Sequence, residues 1–256
     1  MVTILVTGAT GRLGSRVARR LLDAGADVRA LSRHPPSRSA GLEPVAGDLL
    51  TGEGLSPALK GVQVIVHCAT DNRHDVEASR TLLARVAAGD GRPHVVYPSI
   101  VGVDRLSFGY TRAKLEVEGL VQASGLPWSI IRATQFFDYC LSGLRAITRL
   151  PIVPIPSGVV VKPIDPDEVA VRLAEVALGP PAGRVPDISG PQVIDVVEME
   201  RMYLRATHRR RAVVSFPLPG SAMRAIRAGA LLPDPGSAEP GGRGRTWEAF
   251  LASTVS

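Results

Sequence analysis

The chain has 256 residues, 45% of them hydrophobic, and carries a formal net charge of +6 with a sequence pI of about 9.9. This length supports one large core with a modest appendage, and the lack of a long apolar run or a basic, signal-like N-terminus predicts a cytoplasmic protein without a membrane span. Two cysteines, Cys68 and Cys140, exclude a disulfide framework and offer no metal-binding spacing.

The chain opens with a short apolar strand, residues 2–7, which leads through three regularly spaced glycines into a helix predicted over 12–24. Glycines let the backbone turn sharply and approach a pyrophosphate, while the free N–H groups of a helix N-terminus favour negative charge. The order of strand, glycine loop and helix is what a dinucleotide-binding motif requires, and an ordinary glycine-rich turn is the alternative. The candidate cofactor-binding residues here are Gly8, Thr10, Gly11, Arg12, Leu13 and Gly14.

Strand and helix patterns then alternate, which predicts an α/β fold with a doubly wound parallel sheet and a ligand across the carboxyl ends of its strands. The predicted strands are 2–7, 27–32, 43–46, 62–67, 94–99 and 126–132, and the helices between them are 12–24, 71–88 and 107–124. We take residues 1–132 as the nucleotide-binding core. Residues 133–256 are expected to complete the sheet and to form a small substrate-binding lobe.

The end of the second strand indicates which nicotinamide nucleotide binds. An NAD site places an acidic residue there to hold the ribose 2′-hydroxyl, but this strand ends in Ser32 and Arg33. The planar guanidinium of arginine suits a 2′-phosphate, so the sequence favours NADP(H), with Arg33 as its main ligand. Arg12 could approach the same phosphate, and Arg38 is a weaker candidate. The alternative is that Arg33 only faces solvent.

A possible catalytic pair lies on the helix after the fifth strand. Tyr110 and Lys114 are four residues apart, so their side chains share one face of that helix. A nearby ammonium stabilises a phenolate and lowers the pKa of tyrosine towards the range of a general acid. The pair therefore points to proton transfer beside a bound substrate.

Past residue 132 prolines accumulate, and helices are predicted over 166–178, 195–206 and near 247–251. The segment 232–242 is so rich in proline and glycine that we expect a mobile surface loop, a lid or plain disorder. The single basic run, His208 to Arg211, has no interleaved aromatic residues and is expected to be a solvated face. No nucleic-acid partner is therefore predicted.

Several stretches together resemble the short-chain dehydrogenase/reductase superfamily, whose members share a Rossmann fold, and specifically its atypical and extended, NmrA-like and quinone-reductase-like branch. The spacing of the glycine loop is GxxGxxG, and the pair Tyr110-x-x-x-Lys114 matches the superfamily's Tyr-Lys pair. Further similarity to this branch covers residues 124–136, 162–170 and 245–251, so that the resemblance extends over essentially the whole chain.

The resemblance implies roles for further residues. Tyr110 would protonate a carbonyl oxygen and Lys114 would hold the nicotinamide ribose, while Ser99 would polarise the substrate carbonyl or simply end its strand. Asp48 would contact the adenine amino group or cap the next turn. Ala69 and Thr70 would line the adenosine ribose, and Ala133 and Thr134 the nicotinamide. The aromatic residues of a substrate pocket, or of plain core packing, would be Phe108, Phe136, Phe137 and Tyr139.

This branch contains reductases, isomerases and regulators without chemistry, so the fold does not decide the function. The Tyr-Lys pair favours an NADPH-dependent reductase that passes a hydride to a quinone, ketone or enone. A redox-sensing regulator that binds NADP and a partner protein is the alternative. The expected partner of the reductase is a small-molecule substrate, no metal is expected, and both a monomer and a homodimer are compatible with the sequence.

Overall fold

The computed structural model describes residues 2–35, 37–39, 41–71, 73–106 and 108–255. Strands and helices alternate through the first half of the chain, as predicted. These elements are β1 (Thr3–Thr7), α1 (Arg12–Asp23), β2 (Asp27–Ser32), β3 (Leu42–Ala46), α2 (Leu55–Leu59), β4 (Val64–His67), α3 (Asp75–Ala87), β5 (His94–Ile100), α4 (Gly109–Ala123) and β6 (Trp128–Ala133).

The second half adds shorter elements. They are α5 (Phe137–Ile147), β7 (Ile152–Pro156), β8 (Val160–Val161), α6 (Pro166–Leu178), β9 (Gly183–Arg184), β10 (Ile194–Asp195), α7 (Val196–Ala206), β11 (Ala212–Phe216), α8 (Ser221–Arg227) and α9 (Trp247–Thr254). Helices α2, α5 and α8 and the pairing of β7 with β11 were not predicted. In α5 the signal was present, since Phe137, Leu141 and Leu144 recur at helical spacing and are buried.

A seven-stranded parallel sheet in the order β3-β2-β1-β4-β5-β6-β9 forms the centre of the fold, which confirms the predicted doubly wound α/β class. The first strand is an interior strand, with β2 on one side and β4 on the other. Its apolar residues are fully buried, as expected for a strand covered on both faces. The strand order reverses at β1, and ligands bind at such switch points beyond the carboxyl ends of the strands.

Helices α2, α3 and α4 cover one face of this sheet. Their apolar side chains form one cluster with alternate residues of the strands, for example Leu5 of β1, Ile65 of β4 and Val95 of β5, each with no exposed surface. Val117 of α4 and Leu82 of α3 complete this packing. Because the cluster fixes α3 and α4 beside each other, polar residues on the two helices can meet at their N-terminal ends.

The chain divides into two compact units, and neither is one continuous stretch. The first unit comprises residues 1–99, 109–131 and 169–185, and the second comprises 100–108, 132–168 and 186–256. The second unit has its own aromatic core. In that core the ring of Phe137 lies 4.9 Å from the ring of Phe250 and 5.6 Å from that of Trp247.

The proline- and glycine-rich segment 232–242 differs from its prediction. Several contacts hold it within the second unit, so the expectation of plain disorder is wrong, while a mobile loop or lid stays a prediction. Asp234 pairs with Arg105 at 2.8 Å, and the Ser237 hydroxyl donates to Asp187 at 3.1 Å. Gly242 packs so closely on Gly190 that an added Cβ would lie 2.2 Å from its carbonyl oxygen. Composition alone did not reveal these anchors, because each partner lies far away along the chain.

Two further predictions concern helix starts. The helix predicted from residue 71 begins at Asp75, and the one predicted from 107 begins at Gly109. Asn72 and Ser107 lie outside the described residues.

Among the residues that are described, no helix has the length and apolar character needed to cross a membrane, and no group of three or more His, Cys, Asp or Glu side chains could hold a metal ion.

Candidate active site

The glycine loop closes tightly on itself. The carbonyl of Gly8 accepts a hydrogen bond from the Gly11 N–H at 2.8 Å, and Gly8 adopts φ +62°, a conformation that side chains disfavour. A Cβ on Gly14 would lie 2.2 Å from the Gly8 carbonyl oxygen, and one on Gly8 would lie 2.7 Å from Cα of Ala69. Packing therefore requires glycine at both positions.

Gly11 is different, because it is exposed and an added Cβ would meet only the Gly8 carbonyl, at 3.1 Å. It is the N-cap of α1, and no side chain caps that helix or places a carboxylate in its first turn. The first N–H groups of α1 are thus left for an external anion, which the helix dipole also favours. This uncapped helix end behind a glycine cradle fits a dinucleotide pyrophosphate. Arg12, also exposed, and Leu13, half-buried, begin the helix.

The end of β2 lies against the glycine loop. The hydroxyls of Thr10 and Ser32 are 2.9 Å apart, and the Ser32 oxygen also accepts from the His34 N–H at 3.2 Å. Arg33 is exposed and makes no hydrogen bond or ion pair with any residue that the structure describes. No carboxylate ends this strand, so the region offers hydroxyls and a guanidinium to a ribose 2′ substituent. The Ser32 hydroxyl was not singled out from the sequence.

Arg38 is not part of this region. It lines a cavity of 430 Å³ together with Thr3 and Asp27, the first residues of β1 and β2. That cavity lies at the amino edge of the sheet, opposite the glycine loop. The sequence-based suggestion that Arg38 contacts the 2′-phosphate is therefore wrong.

Asp48 follows β3 and closes the turn after it. Its Oδ1 accepts from the Leu50 N–H at 2.7 Å, which is the turn-capping alternative considered from the sequence. The residue is half-buried. Contact with an adenine amino group stays a prediction for this carboxylate.

A chain of hydrogen bonds crosses the carboxyl edge of the sheet from β1 to α3. His67 Nδ1 lies 2.8 Å from the Thr7 hydroxyl, and His67 Nε2 lies 2.9 Å from the Ser79 hydroxyl. Ser79 donates to the Asp75 carbonyl at 2.6 Å, and Thr7 accepts from the Ala69 N–H at 3.1 Å. Because the Ser79 hydrogen is used on the Asp75 carbonyl, Ser79 accepts from Nε2–H of His67. In a neutral ring Nδ1 then accepts from the Thr7 hydroxyl.

The pKa of His67 supports this assignment. Burial, with a smaller effect of the Lys114 charge, lowers it from 6.5 to about 4. His67 is accordingly a structural histidine that joins the glycine-loop strand to the start of α3. This agrees with the sequence analysis, which did not treat it as a catalytic base.

Stability should therefore depend on pH through His67. Above pH 6.5 the ring is neutral in both states and its contribution is intact. As pH falls the unfolded chain binds the proton first, so stability is lost until the folded-state pKa of about 4 is reached. The loss should total about 3 kcal/mol. Denaturant unfolding across this range should show a shallower pH dependence for His67→Gln, while exposed His34→Gln should follow the wild type. Equal slopes for all three proteins would contradict the assignment.

Lys114 lies in α4 and is buried beside an acidic residue that the sequence analysis missed. Its Nζ is 3.6 Å from Oδ2 of Asp75, the first residue of α3. Asp75 Oδ2 also accepts from the Thr70 hydroxyl at 2.7 Å, and Oδ1 accepts from the Asp71 N–H at 2.5 Å. Thr70 is exposed and thus open to a ligand as well. An acidic residue in a first helical turn was the only signal for Asp75.

Two tyrosine rings approach the same ammonium. Nζ of Lys114 lies 5.8 Å from the ring centre of Tyr110, in the first turn of α4, and 4.9 Å from that of Tyr97 on β5. Tyr97 is buried, and burial raises its pKa well above 10, so this phenol stays protonated. Tyr110 is half-buried. The structure thus brings the predicted Tyr-Lys pair together on one helix face.

Ser99 lies on β5 two residues beyond Tyr97, so both point to the same face of the sheet. Their hydroxyls are buried and have no hydrogen-bond partner among the residues described. A buried hydroxyl without a partner is costly and calls for a ligand or water to satisfy it. The Ser99 hydroxyl is therefore able to bind a polar group, and its contact with a substrate carbonyl stays a prediction.

The residues of the second unit that were predicted to line the nicotinamide or the substrate pocket differ in how far they are buried. Ala133 and Thr134 are buried, and the Thr134 hydroxyl lacks a partner within the described chain. Phe137 is 1% exposed in the aromatic core, which is the core-packing alternative considered from the sequence. Phe136 is half-buried, and Tyr139 and Phe108 are 72% and 43% exposed.

The basic run is exposed at the end of α7, as expected. Together with Arg201 and Arg205 it lines a surface cavity of 880 Å³. Arg205 pairs with Glu198 at 2.8 Å, so part of its charge is compensated within the helix. Nothing in this cavity resembles the chemistry of the Tyr-Lys site.

Comparison with known proteins identifies the family. A family model for NAD(P)H-binding proteins matches residues 8–149. A (4-alkanoyl-5-oxo-2,5-dihydrofuran-3-yl)methyl phosphate reductase from Streptomyces griseus is 35% identical over 214 residues, which cover 80% of this chain and 74% of that protein.

Two solved structures share the fold. An NADPH-dependent quinone oxidoreductase from Escherichia coli, complexed with NADPH, has a TM-score of 0.83 and 16% identity over 99% of this chain and 100% of its own. The triphenylmethane reductase of Citrobacter sp., complexed with NADP(H), has a TM-score of 0.77 and 19% identity over 99% and 100%.

The family match covers more than half of the chain and includes the glycine loop and the Tyr-Lys helix. The predictions of family, of an NAD(P)H cofactor and of an oxidoreductase are confirmed at this level. The chain therefore belongs to the family of NAD(P)H-binding proteins that this model describes.

Proposed function

We propose that the protein is an NADPH-dependent reductase that delivers a hydride to a quinone, ketone or enone. The observation that carries this proposal is the buried Lys114 ammonium beside Tyr110, on the same sheet face as the unpartnered hydroxyl of Ser99. When bound, the reduced nicotinamide would supply the hydride. A cation and hydrogen-bond donors around a carbonyl oxygen stabilise the negative charge that it gains during reduction.

Each residue has a proposed task. The α1 N-terminus and glycine loop bind the pyrophosphate, and Lys114 orients the nicotinamide ribose. Ser99 donates its hydroxyl to the acceptor's oxygen, and Tyr110 serves as the acid for acceptors whose product must be protonated at once. The name of the Streptomyces relative supports an enone, because the 4-alkanoyl carbonyl in it is conjugated to the C=C bond of the dihydrofuran ring.

The test is steady NADPH oxidation with a panel of quinones, ketones and enones under anaerobic conditions. We expect turnover with at least one acceptor class, and Ser99→Ala should lower it. Tight NADPH binding without turnover of any acceptor would reject the reductase and favour a redox-sensing regulator.

Cofactor preference gives a separate prediction. NADPH should bind at least about ten-fold more tightly than NADH, which corresponds to about 1.4 kcal/mol and lies within the reach of one charge-assisted contact. Arg33→Ala should remove most of this preference and leave NADH affinity unchanged. Arg38→Ala, at the other edge of the sheet, is the matched control and should retain it. Calorimetric titrations that give equal affinities for both nucleotides in the wild type would reject the role of Arg33.

A further inference from the structure

The ammonium of Lys114 is one half of a buried ion pair. The side chains of Lys114 and Asp75 are only 7% and 3% exposed, and they join α4 to the first residue of α3. We propose that Asp75 is a positioning residue, whose carboxylate fixes Lys114 and presents it to NADPH as part of a neutral pair. The inference rests on the cofactor contact of Lys114 in the proposed function.

Asp75 is suited to this task because both of its oxygens are held. Oδ1 accepts from the Asp71 N–H and Oδ2 accepts from the Thr70 hydroxyl, so the carboxylate plane is fixed independently of Lys114. Its negative charge also lies at the N-terminus of α3, where the helix dipole favours it. Without a fixed partner, the long lysine side chain would populate many rotamers. The fixed carboxylate selects the one that reaches the ring of Tyr97.

The Asp75–Lys114 pair also determines the net charge at this buried position. Burial lowers the pKa of Lys114, while Asp75 opposes that effect and keeps the ammonium protonated. The titratable groups that surround the pair on β4, the turn after it, β5 and α4 are His67, Cys68, Tyr97, Tyr110 and Glu118. His67 is neutral, and burial raises the pKa of Cys68 to about 12 and that of Tyr97 well above 10. Asp75, whose Oδ2 lies 3.6 Å from Nζ, is therefore the carboxylate that forms the ion pair with Lys114.

This differs from the role predicted for Lys114 from the sequence. A neutral pair lowers the pKa of a neighbouring phenol much less than an isolated ammonium does. Lys114 would then act mainly on the cofactor rather than on the Tyr110 phenol. Such a site suits acceptors such as quinones, whose reduced form can take its proton from water.

Asp75→Asn tests the proposal, because it keeps the shape and the bond to the Asp71 N–H but removes the charge. We expect NADPH affinity to fall at least about ten-fold at pH 8 and to weaken further as the pH is raised, since a buried lysine without its carboxylate loses its proton more readily. The wild type and Asp71→Asn, a control in the same turn, should show a flat profile. NADPH fluorescence titrations measure this without turnover. A flat profile for Asp75→Asn would overturn the proposal.

A double-mutant cycle keeps the proposal testable if NADPH binds weakly to the variants. Asp75→Asn alone leaves a buried ammonium without its partner, whereas Asp75→Asn combined with Lys114→Met removes both charges. The double variant should therefore be more stable towards urea than Asp75→Asn. Strictly additive effects would contradict a coupled pair. Wild-type protein that binds NADPH but reduces no acceptor would reject the proposed function and leave this result unaffected.

Discussion

Replacing Gly11 by valine should abolish NADPH binding while leaving the protein folded. Gly11 is exposed at the start of α1, its φ of −78° is open to any residue, and its Cβ would meet only the Gly8 carbonyl. The branched side chain would instead occupy the space in front of the uncapped N–H groups that the pyrophosphate needs. We expect a loss of at least about 100-fold in affinity, or about 2.7 kcal/mol, in a calorimetric titration.

The other loop glycines provide the contrast. A Cβ on Gly14 would lie 2.2 Å from the Gly8 carbonyl oxygen. Gly14→Ala should therefore lower both the free energy of unfolding and the affinity for NADPH. Circular dichroism and urea unfolding separate the two cases. Gly11→Val protein that keeps its fold and still binds NADPH with wild-type affinity would show that the nucleotide lies elsewhere.

The second large effect concerns Tyr110. If its phenol is the general acid, Tyr110→Phe should lower turnover of ketones by roughly 10² to 10⁴-fold and leave NADPH affinity almost unchanged. Lys114→Met should damage both turnover and NADPH affinity, because the ammonium is expected to contact the ribose. Steady-state rates and binding titrations on both variants measure the contrast. Tyr203→Phe, at a tyrosine in the core of the second unit, is the matched control and should keep wild-type turnover and NADPH affinity.

The acceptor decides how Tyr110→Phe is interpreted. Reduction of a quinone by direct hydride transfer needs no protein acid, since the product can be protonated by water. Full activity of Tyr110→Phe with quinones, together with loss of activity with ketones, would assign the phenol to carbonyl reduction only. Full activity with ketones as well would reject Tyr110 as the acid.

The sequence predicted those elements that depend only on residues close together in the chain. The buried strands are runs of β-branched residues, and the glycine loop needs only its own spacing and the strand before it. Tyr110 and Lys114 were predicted as a pair because four residues on one helix always bring side chains to one face.

The rest of the site depends on contacts between distant segments. Asp75 becomes a partner of Lys114 only because α3 and α4 pack on the same sheet face, and Ser32 meets Thr10 only because β2 pairs with β1. The anchors of segment 232–242, such as Asp187 and Arg105, are equally remote in sequence. A turn-forming composition predicts the shape of such a segment but not what holds it.

The interleaving of the two compact units has a consequence for how the protein can be divided and synthesised. The last sheet strand, β9, and most of α6 come from residues 169–185, and β9 pairs with β6 through Ser129 and Gly183. A fragment that stops at residue 132 would leave β6 as an uncovered sheet edge, a template for aggregation. The nucleotide-binding sheet is complete only after residue 185 has left the ribosome. Expression of the cofactor-binding half alone should therefore yield insoluble protein, although that half carries almost every residue expected to contact the nucleotide.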